Sequence, residues 1–556
     1  MTVTKRNRAL RSAQAWRASR AVALAVLSAI VFCAAAAAQD NGDDAMGKLR
    51  EVLREKGSRG RVMVLKRNRD KVITLDRKTA IAVALENNLD VKSAYIDSHV
   101  AALDVIRASS LFDPAMLISA GNVKTIRPGF MKDEAFGGTG TQGSTYYFFQ
   151  AGGGVQKMWP TSTLTTVEFA FASTLYEKSQ LLIVNPWKES SLTLRAVQPL
   201  LKGAGPFYVN SPKLLAQKSA DVANHMLRAK TATTIKDATV AYWTLVGEIA
   251  ALDVAWVSRD RAEELLGVVQ QTYRAGAIGA GELAQAEAEL ALREMEIGAQ
   301  ELVVLDAEDK LKQVLNISEV NEILSTAAVE PSDSPVFKPL DIDLSGLEKA
   351  AISGRPELMA AALQVEQARL LVKRMERENL PQLDLNVALG VLGGGSNEGH
   401  IIDAWGSGDY YQFVTSLSLT FPLGMRKERA QLRQARTRHV QAKLGSTSAL
   451  RLIAQQVRYS ANNAKMYERR ISTVRALVDD RTKALADERI RFKEGQATTL
   501  DVLIAQEKLA YTEREMIKAH ISFANAVAEL DYAAGKLVRD MSLNADESTE
   551  TGQRKE

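Results

Sequence analysis

The sequence predicts an α+β membrane protein, built from a duplicated unit of long coiled-coil helices and short alternating strands. Two observations carry that expectation. A glycine turn followed by a seven-residue apolar column occurs twice, and a proline in each copy separates a helical apolar period from a period of two. The first turn reads Tyr273-Arg274-Ala275-Gly276-Ala277-Ile278-Gly279-Ala280-Gly281-Glu282-Leu283. The second reads Arg491-Phe492-Lys493-Glu494-Gly495-Gln496-Ala497-Thr498-Thr499-Leu500-Asp501-Val502, with Gly495 lying 219 residues after Gly276. The columns Leu283, Leu290, Ile297, Val304, Leu311 and Val502, Leu509, Met516, Phe523, Leu530 align at that same offset. A heptad sustained this long keeps one helix seam against a neighbour, and glycine suits the left-handed residue just past a helix end. Each copy therefore reads as a helical hairpin tip.

Taken in order, residues 1–38 read as a secretory signal peptide. Lys5, Arg6, Arg8, Arg11, Arg17 and Arg20 precede an apolar run, and Ala36-Ala37-Ala38 offers a small-residue cleavage site. These six cations come with no anion, so the formal net charge of +5 becomes −1 without them. The basicity is targeting, not nucleic-acid binding. Cys33, the only cysteine, falls inside the signal, so disulfides do not hold the mature chain. No later stretch approaches 20 apolar residues, which speaks against further spanning helices but not against a barrel of short strands.

A polar extension follows at 39–72, and the first repeat occupies 73–316. Its helical pattern from Leu75 to Leu111 gives way at Pro114, and strands at 115–123 and 191–199 lead to the exit Gln198-Pro199-Leu200 and to the tip at 273–283. A linker rich in Pro, Ser and Asp spans 317–346. The second repeat, 347–537, has its helix to Leu380, strands at 383–392 and 413–423, the exit Phe421-Pro422-Leu423 and the tip at 491–502. A disordered tail is expected at 538–556. Strands of about ten alternating residues suit a tilted membrane crossing. The helices from Pro199 to Gly276 and from Pro422 to Gly495 would each span on the order of 100 Å at ~1.5 Å per residue. The arm from Gly281 to Asn316 is about half as long, which suggests stacking it end to end on the helix from Leu347, and the arm from Thr499 on the helix from Leu75.

In this order, occurring twice, these features resemble the TolC-like outer-membrane efflux proteins over residues 72–538. The carrying motifs are the two proline exits, the two tips, and Leu500-Asp501-Val502-Leu503 followed by Ala505-Gln506. The resemblance implies a homotrimer with one β-barrel in the outer membrane, continued by an α-helical barrel across the periplasm. It implies an exit duct for efflux or type I secretion, working with a periplasmic adaptor protein that meets the tips (Tyr273, Arg274, Gly276, Phe492, Gly495) and with an inner-membrane transporter. Four strands per protomer cannot close a barrel, whereas three protomers would supply twelve. The alternative function is a periplasmic coiled-coil scaffold, which would share the heptads but need no strands.

Two features stay open at this level. The first-half loop between prolines is 44 residues longer than the second, and holds an apparent hairpin, Tyr146–Gln156 and Thr163–Ser173. An added hairpin preserves strand direction, but twelve strands in the barrel leave it outside the wall, which is the expectation. Glu282 and Asp501 each lie six residues after a tip glycine, where a trimer would gather up to six carboxylates as a periplasmic gate. Thr498-Thr499-Leu500-Asp501 also fits a capping box. The acidic column Glu287, Glu294, Glu301, Glu308 gives the first arm a solvated face. His99, His225, His400, His439 and His520 are scattered and read as surface residues, with no metal or cofactor site and no catalytic constellation.

Overall fold

The computed structural model describes residues 72–127, 144–177, 185–316, 327–335, 337–396, 405 and 408–537. The expected signal peptide, nearly all of the polar extension, the Gly137–Gly140 loop, part of the linker and the tail lie outside the described residues.

In chain order the elements are β1 (Val72–Leu75), α1 (Arg77–Asn87), α2 (Leu89–Ser109), β2 (Ala115–Arg127), β3 (Ser144–Met158), β4 (Leu164–Glu177), β5 (Trp187–Pro199), α3 (Pro206–Arg274) and α4 (Ala280–Leu315). The second half adds β6 (Ala328–Pro331), α5 (Leu344–Gly354), α6 (Pro356–Glu378), β7 (Gln382–Gly395), β8 (Tyr411–Thr420), α7 (Arg426–Lys493) and α8 (Thr499–Ala533). They divide into two compact units. One comprises Ser98–Ala223 and Ala361–Ser446; the other comprises Met1–Asp97, Asn224–Ala360 and Thr447–Glu556.

The first of these units holds an antiparallel sheet of six strands in the order β2-β3-β4-β5-β7-β8. This corrects the expectation of four strands. The 146–173 hairpin is not outside the sheet but inside it. β3 pairs with β2 from Ala115↔Gln156 to Arg127↔Ser144, and β4 pairs with β5 from Leu164↔Val197 to Thr174↔Trp187. An inserted antiparallel pair leaves the directions of β2 and β5 unchanged, so the sheet absorbs it without rearrangement. Its turn is pinned: Ser162, nearly buried at φ +73°, donates from Oγ to the Gly205 carbonyl at 3.0 Å. Thr163 Oγ1 donates to Gln198 Oε1 at 2.5 Å. Two β3 glycines make this pairing possible, since a Cβ on Gly154 would stand 2.6 Å from the Val167 carbonyl and one on Gly152 2.9 Å from that of Phe169. At the proline corners, Leu200 N–H donates to Leu383 O (2.7 Å) and Lys202 N–H to Pro381 O (3.1 Å). Lys202 Nζ lies 3.4 Å from Glu378, which also accepts from the Tyr208 hydroxyl.

In the other unit, β1 and β6 pair in parallel, from Val72↔Ala328 to Leu75↔Pro331. Tyr242 of α3, fully buried, fastens this ribbon: its hydroxyl donates to the Leu75 carbonyl (3.1 Å) and accepts from the Asp333 N–H (3.1 Å). Burial pushes the phenol up to about 12, so it remains a donor throughout the neutral range. Around it a core forms from Ala80, Ala84, Leu245, Ile249, Ile297, Val304, Leu311 and Leu315. α3 is the one described helix apolar enough over 18 residues to cross a membrane, but 56% of that stretch is buried inside the structure, as befits a core helix.

Both short helical segments break at equivalent positions, Asn88 and Arg355, where a continuous helix was expected. Each break is a splice. Asn88 Oδ1 accepts the N–H groups of Asp90 (3.0 Å) and Val91 (3.1 Å), capping α2. Its Nδ2 donates to Val314 O (3.3 Å) at the end of α4. Arg355 does the same work with a longer reach: Nη1 donates to Tyr532 O (3.2 Å) at the end of α8, while Nε and Nη2 hold the Glu357 carboxylate of α6 at 3.0 Å each. The guanidinium also lies 4.4 Å from the Tyr532 ring centroid. So each arm ends against the broken helix of its own half, not that of the other half as helix length had suggested. The lengths could not decide this, because α4 and α8 have 36 and 35 residues and fit either partner.

Arg355→Ala removes the guanidinium, 4% exposed, that joins Glu357 to the Tyr532 carbonyl, leaving Glu357 with the Tyr532 hydroxyl (3.4 Å) and the carbonyl with the Gly535 N–H (3.0 Å). We expect a loss of about 2–3 kcal/mol, with only partial rescue by Arg355→Lys, whose ammonium cannot fork. Thermal unfolding followed by far-ultraviolet circular dichroism reads both.

Candidate functional site: the paired hairpin tips

Each long helix stops in the same backbone device. After α3, the Gly276 N–H donates to Tyr273 O (2.9 Å) and the Ala277 N–H to Thr272 O (3.1 Å). After α7, Gly495 donates to Phe492 O (3.1 Å) and Gln496 to Arg491 O (2.8 Å). These paired bonds satisfy carbonyls that a helix end leaves bare. Both glycines sit at φ +74°, which side chains adopt only with strain. Tyr273, Arg274, Gly276 and Gly495 are exposed. Phe492 is turned half inward and, with Ile278 and Leu283, packs against Leu265, Val269, Leu485, Val502 and Leu503. The two tips thus share one apolar cluster.

The returning helices begin differently, although Glu282 and Asp501 are equivalent in sequence. At α8, Thr498 and Asp501 close a full capping box: Thr498 N–H donates to Asp501 Oδ2 (2.9 Å) and Asp501 N–H to Thr498 Oγ1 (3.3 Å). The hydroxyl and N–H of Thr498, with Arg491 adding a smaller effect, hold the Asp501 carboxyl below the usual range. At α4 the cap is Gly279, which has no side chain to engage Glu282. Glu282 reaches across instead and accepts from Thr499 Oγ1 at 2.6 Å, Thr499 being fully buried. One carboxylate closes its own helix; the other ties the two tips together.

Behind the tips the heptad columns form the expected seams. All five positions of the α8 column are buried, as are Ile297, Val304 and Leu311 of α4. The acidic column is not one solvated face. Glu287 and Glu294 are exposed, whereas Glu308 is buried and paired with Lys312 at 2.7 Å. The aligned positions of α8 are interior as well. Glu513 grips Arg261 through two bonds of 2.8 Å, and Gln506 donates to Arg261 O (3.3 Å). His520 is buried beside the Phe337 ring, not on the surface as expected. Sequence spacing identified the tips but missed these polar layers, because a heptad names the position and not what faces it. Among the described residues no cluster of His, Cys, Asp or Glu could hold a metal ion.

Residues 347–536 match the family model described as "Outer membrane efflux protein". Over 330 residues the chain is 22% identical to Outer membrane protein TolC of Escherichia coli (strain K12), covering 58% of this chain and 65% of that relative, just short of two thirds. The fold is shared more widely. The CmeC outer membrane channel of Campylobacter jejuni superposes with a TM-score of 0.62 at 17% identity, covering 85% of this chain and 89% of that one. The outer membrane protein VceC of Vibrio cholerae gives 0.60 at 16% identity, covering 83% and 96%. In sequence the chain is thus similar to TolC over part of its length, and in fold to these channels over most of it.

The capping box makes two predictions at once. Thr498→Ala should destabilise the start of α8 by about 1 kcal/mol. Because the Asp501 carboxyl is held below its ordinary value of 3.8, its support is complete above that pH and fades as pH falls through the lowered value. Amide exchange at residues 499–502, corrected for intrinsic rates, should accelerate only below about pH 3.8. Asp501→Asn should abolish that acid step.

Proposed function

We propose that the protein is the outer-membrane exit duct of a tripartite efflux or type I secretion system. As a homotrimer it passively conducts substrates from a periplasmic adaptor and an inner-membrane transporter to the exterior. The observation that carries this reading is the sheet. Its edge strands β2 and β8 have no partner on their outer sides among the described residues, and Met116, Ile118, Phe413, Leu417 and Leu419 on them are each more than 60% exposed. Water cannot satisfy such edges inside a bilayer, so they need further copies of the chain. A periplasmic scaffold would leave this apolar surface in water for no purpose, which weighs against that alternative.

At the other functional element, Tyr273, Arg274, Gly276 and Gly495 form the exposed surface that an adaptor would grasp, with Phe492 bracing the turn from within. Glu282 and Asp501 open the returning helices, so three copies bring six carboxylates to the periplasmic end of the duct. Repulsion among them opposes closure, and cations relieve it. The duct performs no chemistry; the inner-membrane transporter supplies the energy.

In mild detergent the purified protein should have three times the mass of one chain by light scattering. A monomer would overturn the duct. For the gate, Asp501→Asn combined with Glu282→Gln should weaken cation selectivity and divalent-ion block in single-channel recordings. Unchanged selectivity and block in a folded variant would leave the two carboxylates only their capping and tip-bridging roles.

A further inference from the structure

Strand register allows each face of the sheet to be followed across all six strands, since directly opposed residues share a face. One row runs Phe413–Leu389–Leu194–Val167–Val155–Met116. The next row on the same face runs Tyr411–Val391–Leu192–Phe169–Gly153–Ile118. On the opposite face, Arg195, Thr166 and Gln156 stand in one row, and Thr193 and Glu168 in another. The inserted hairpin therefore has the same apolar and polar faces, in the same register, as the strands on either side of it. This is the dyad pattern of a wall with lipid on one side and water on the other.

We propose that the β3–β4 hairpin is part of the lipid-facing wall, and that three copies close a barrel of eighteen strands. This rests on the trimeric duct proposed above. The partner at each edge is a second copy of this chain: β8 of one copy pairs with β2 of the next. The sheet itself specifies that partner. Its five successive antiparallel pairings make β2 and β8 run in opposite directions, so closure of one on the other stays antiparallel throughout. β2 has 13 residues and β8 has 10, every one of β8 being exposed, so the edges are similar in length and open. Barrel diameter grows about linearly with strand number, and barrels of roughly 16–18 strands enclose an aqueous channel. Against a wall of twelve strands, eighteen give about 1.5 times the diameter and roughly twice the cross-section. The outer mouth then does not filter cargo by size, and selection falls to the periplasmic end.

Two measurements on the full-length protein test this. The only cysteine, Cys33, lies in the expected signal peptide, so introduced thiols report unambiguously. Cysteine placed in turn at Leu117, Ser119, Gly121, Val123 and Thr125 of β2, each combined with Ser416→Cys in β8, covers the polar face of both edges. Oxidation in native membranes should give covalent dimers and trimers for at least one pair. Ser119→Cys with Ser191→Cys, which a wall lacking the hairpin would bring together, should not cross-link within a chain. Polymer exclusion from the extracellular side of single channels reads the mouth directly. Replacing residues 144–177 by a short turn should lower the excluded polymer radius by about a third. Trimers without β2–β8 cross-links, a Ser119–Ser191 cross-link, or an unchanged exclusion limit would each overturn the eighteen-strand wall while leaving the duct intact. A monomer in detergent would overturn both.

Discussion

A strand edge in hydrocarbon has no water to bond its peptide groups, and the fold is arranged around that constraint. Here the larger sheet has six strands, and its edges, β2 and β8, are unpaired among the described residues. A soluble sheet with such edges would be blunted by charge, proline or a covering helix. β8 instead offers Phe413, Leu417 and Leu419, all exposed, beside alternating Ser and Thr. The apolar surface is organised for a solvent other than water.

The helical unit solves a different problem, which is how to end helices inside a bundle without leaving their termini bare. Duplication supplied two copies of each end, and the copies have diverged in side chain while keeping the task. Asn88 and Arg355 lie at equivalent positions and both join the last turn of an arm to the first turn of a short helix. An amide does this with one donor and one acceptor. A guanidinium does it with a fork, which recruits Glu357 and the face of Tyr532 as well. The tips diverge likewise. Where Thr498 caps its helix it holds Asp501 at home, and where Gly279 stands instead, Glu282 is released to hold Thr499. A pseudo-symmetric sequence thereby gives an asymmetric junction between the two hairpins.

Much of this architecture was legible in the sequence, for physical reasons. The heptad columns, the glycines past the helix ends and the switch from helical to alternating period at Pro114 and Pro381 are local requirements of backbone geometry, so they appear in the residues themselves. The capping box at Thr498 and Asp501 was readable for the same reason. Tertiary structure decided whatever depended on a partner distant in the chain. An alternating hairpin carries the same pattern inside a sheet or beside one, and only pairing with Ala115–Arg127 and Trp187–Pro199 placed it within. Helix length fitted either stacking scheme until Asn88 and Arg355 selected one. Spacing assigned Glu308, Glu513 and His520 to columns, but burial depends on what faces a column, and that was settled by Lys312, Arg261 and Phe337 from other turns and segments.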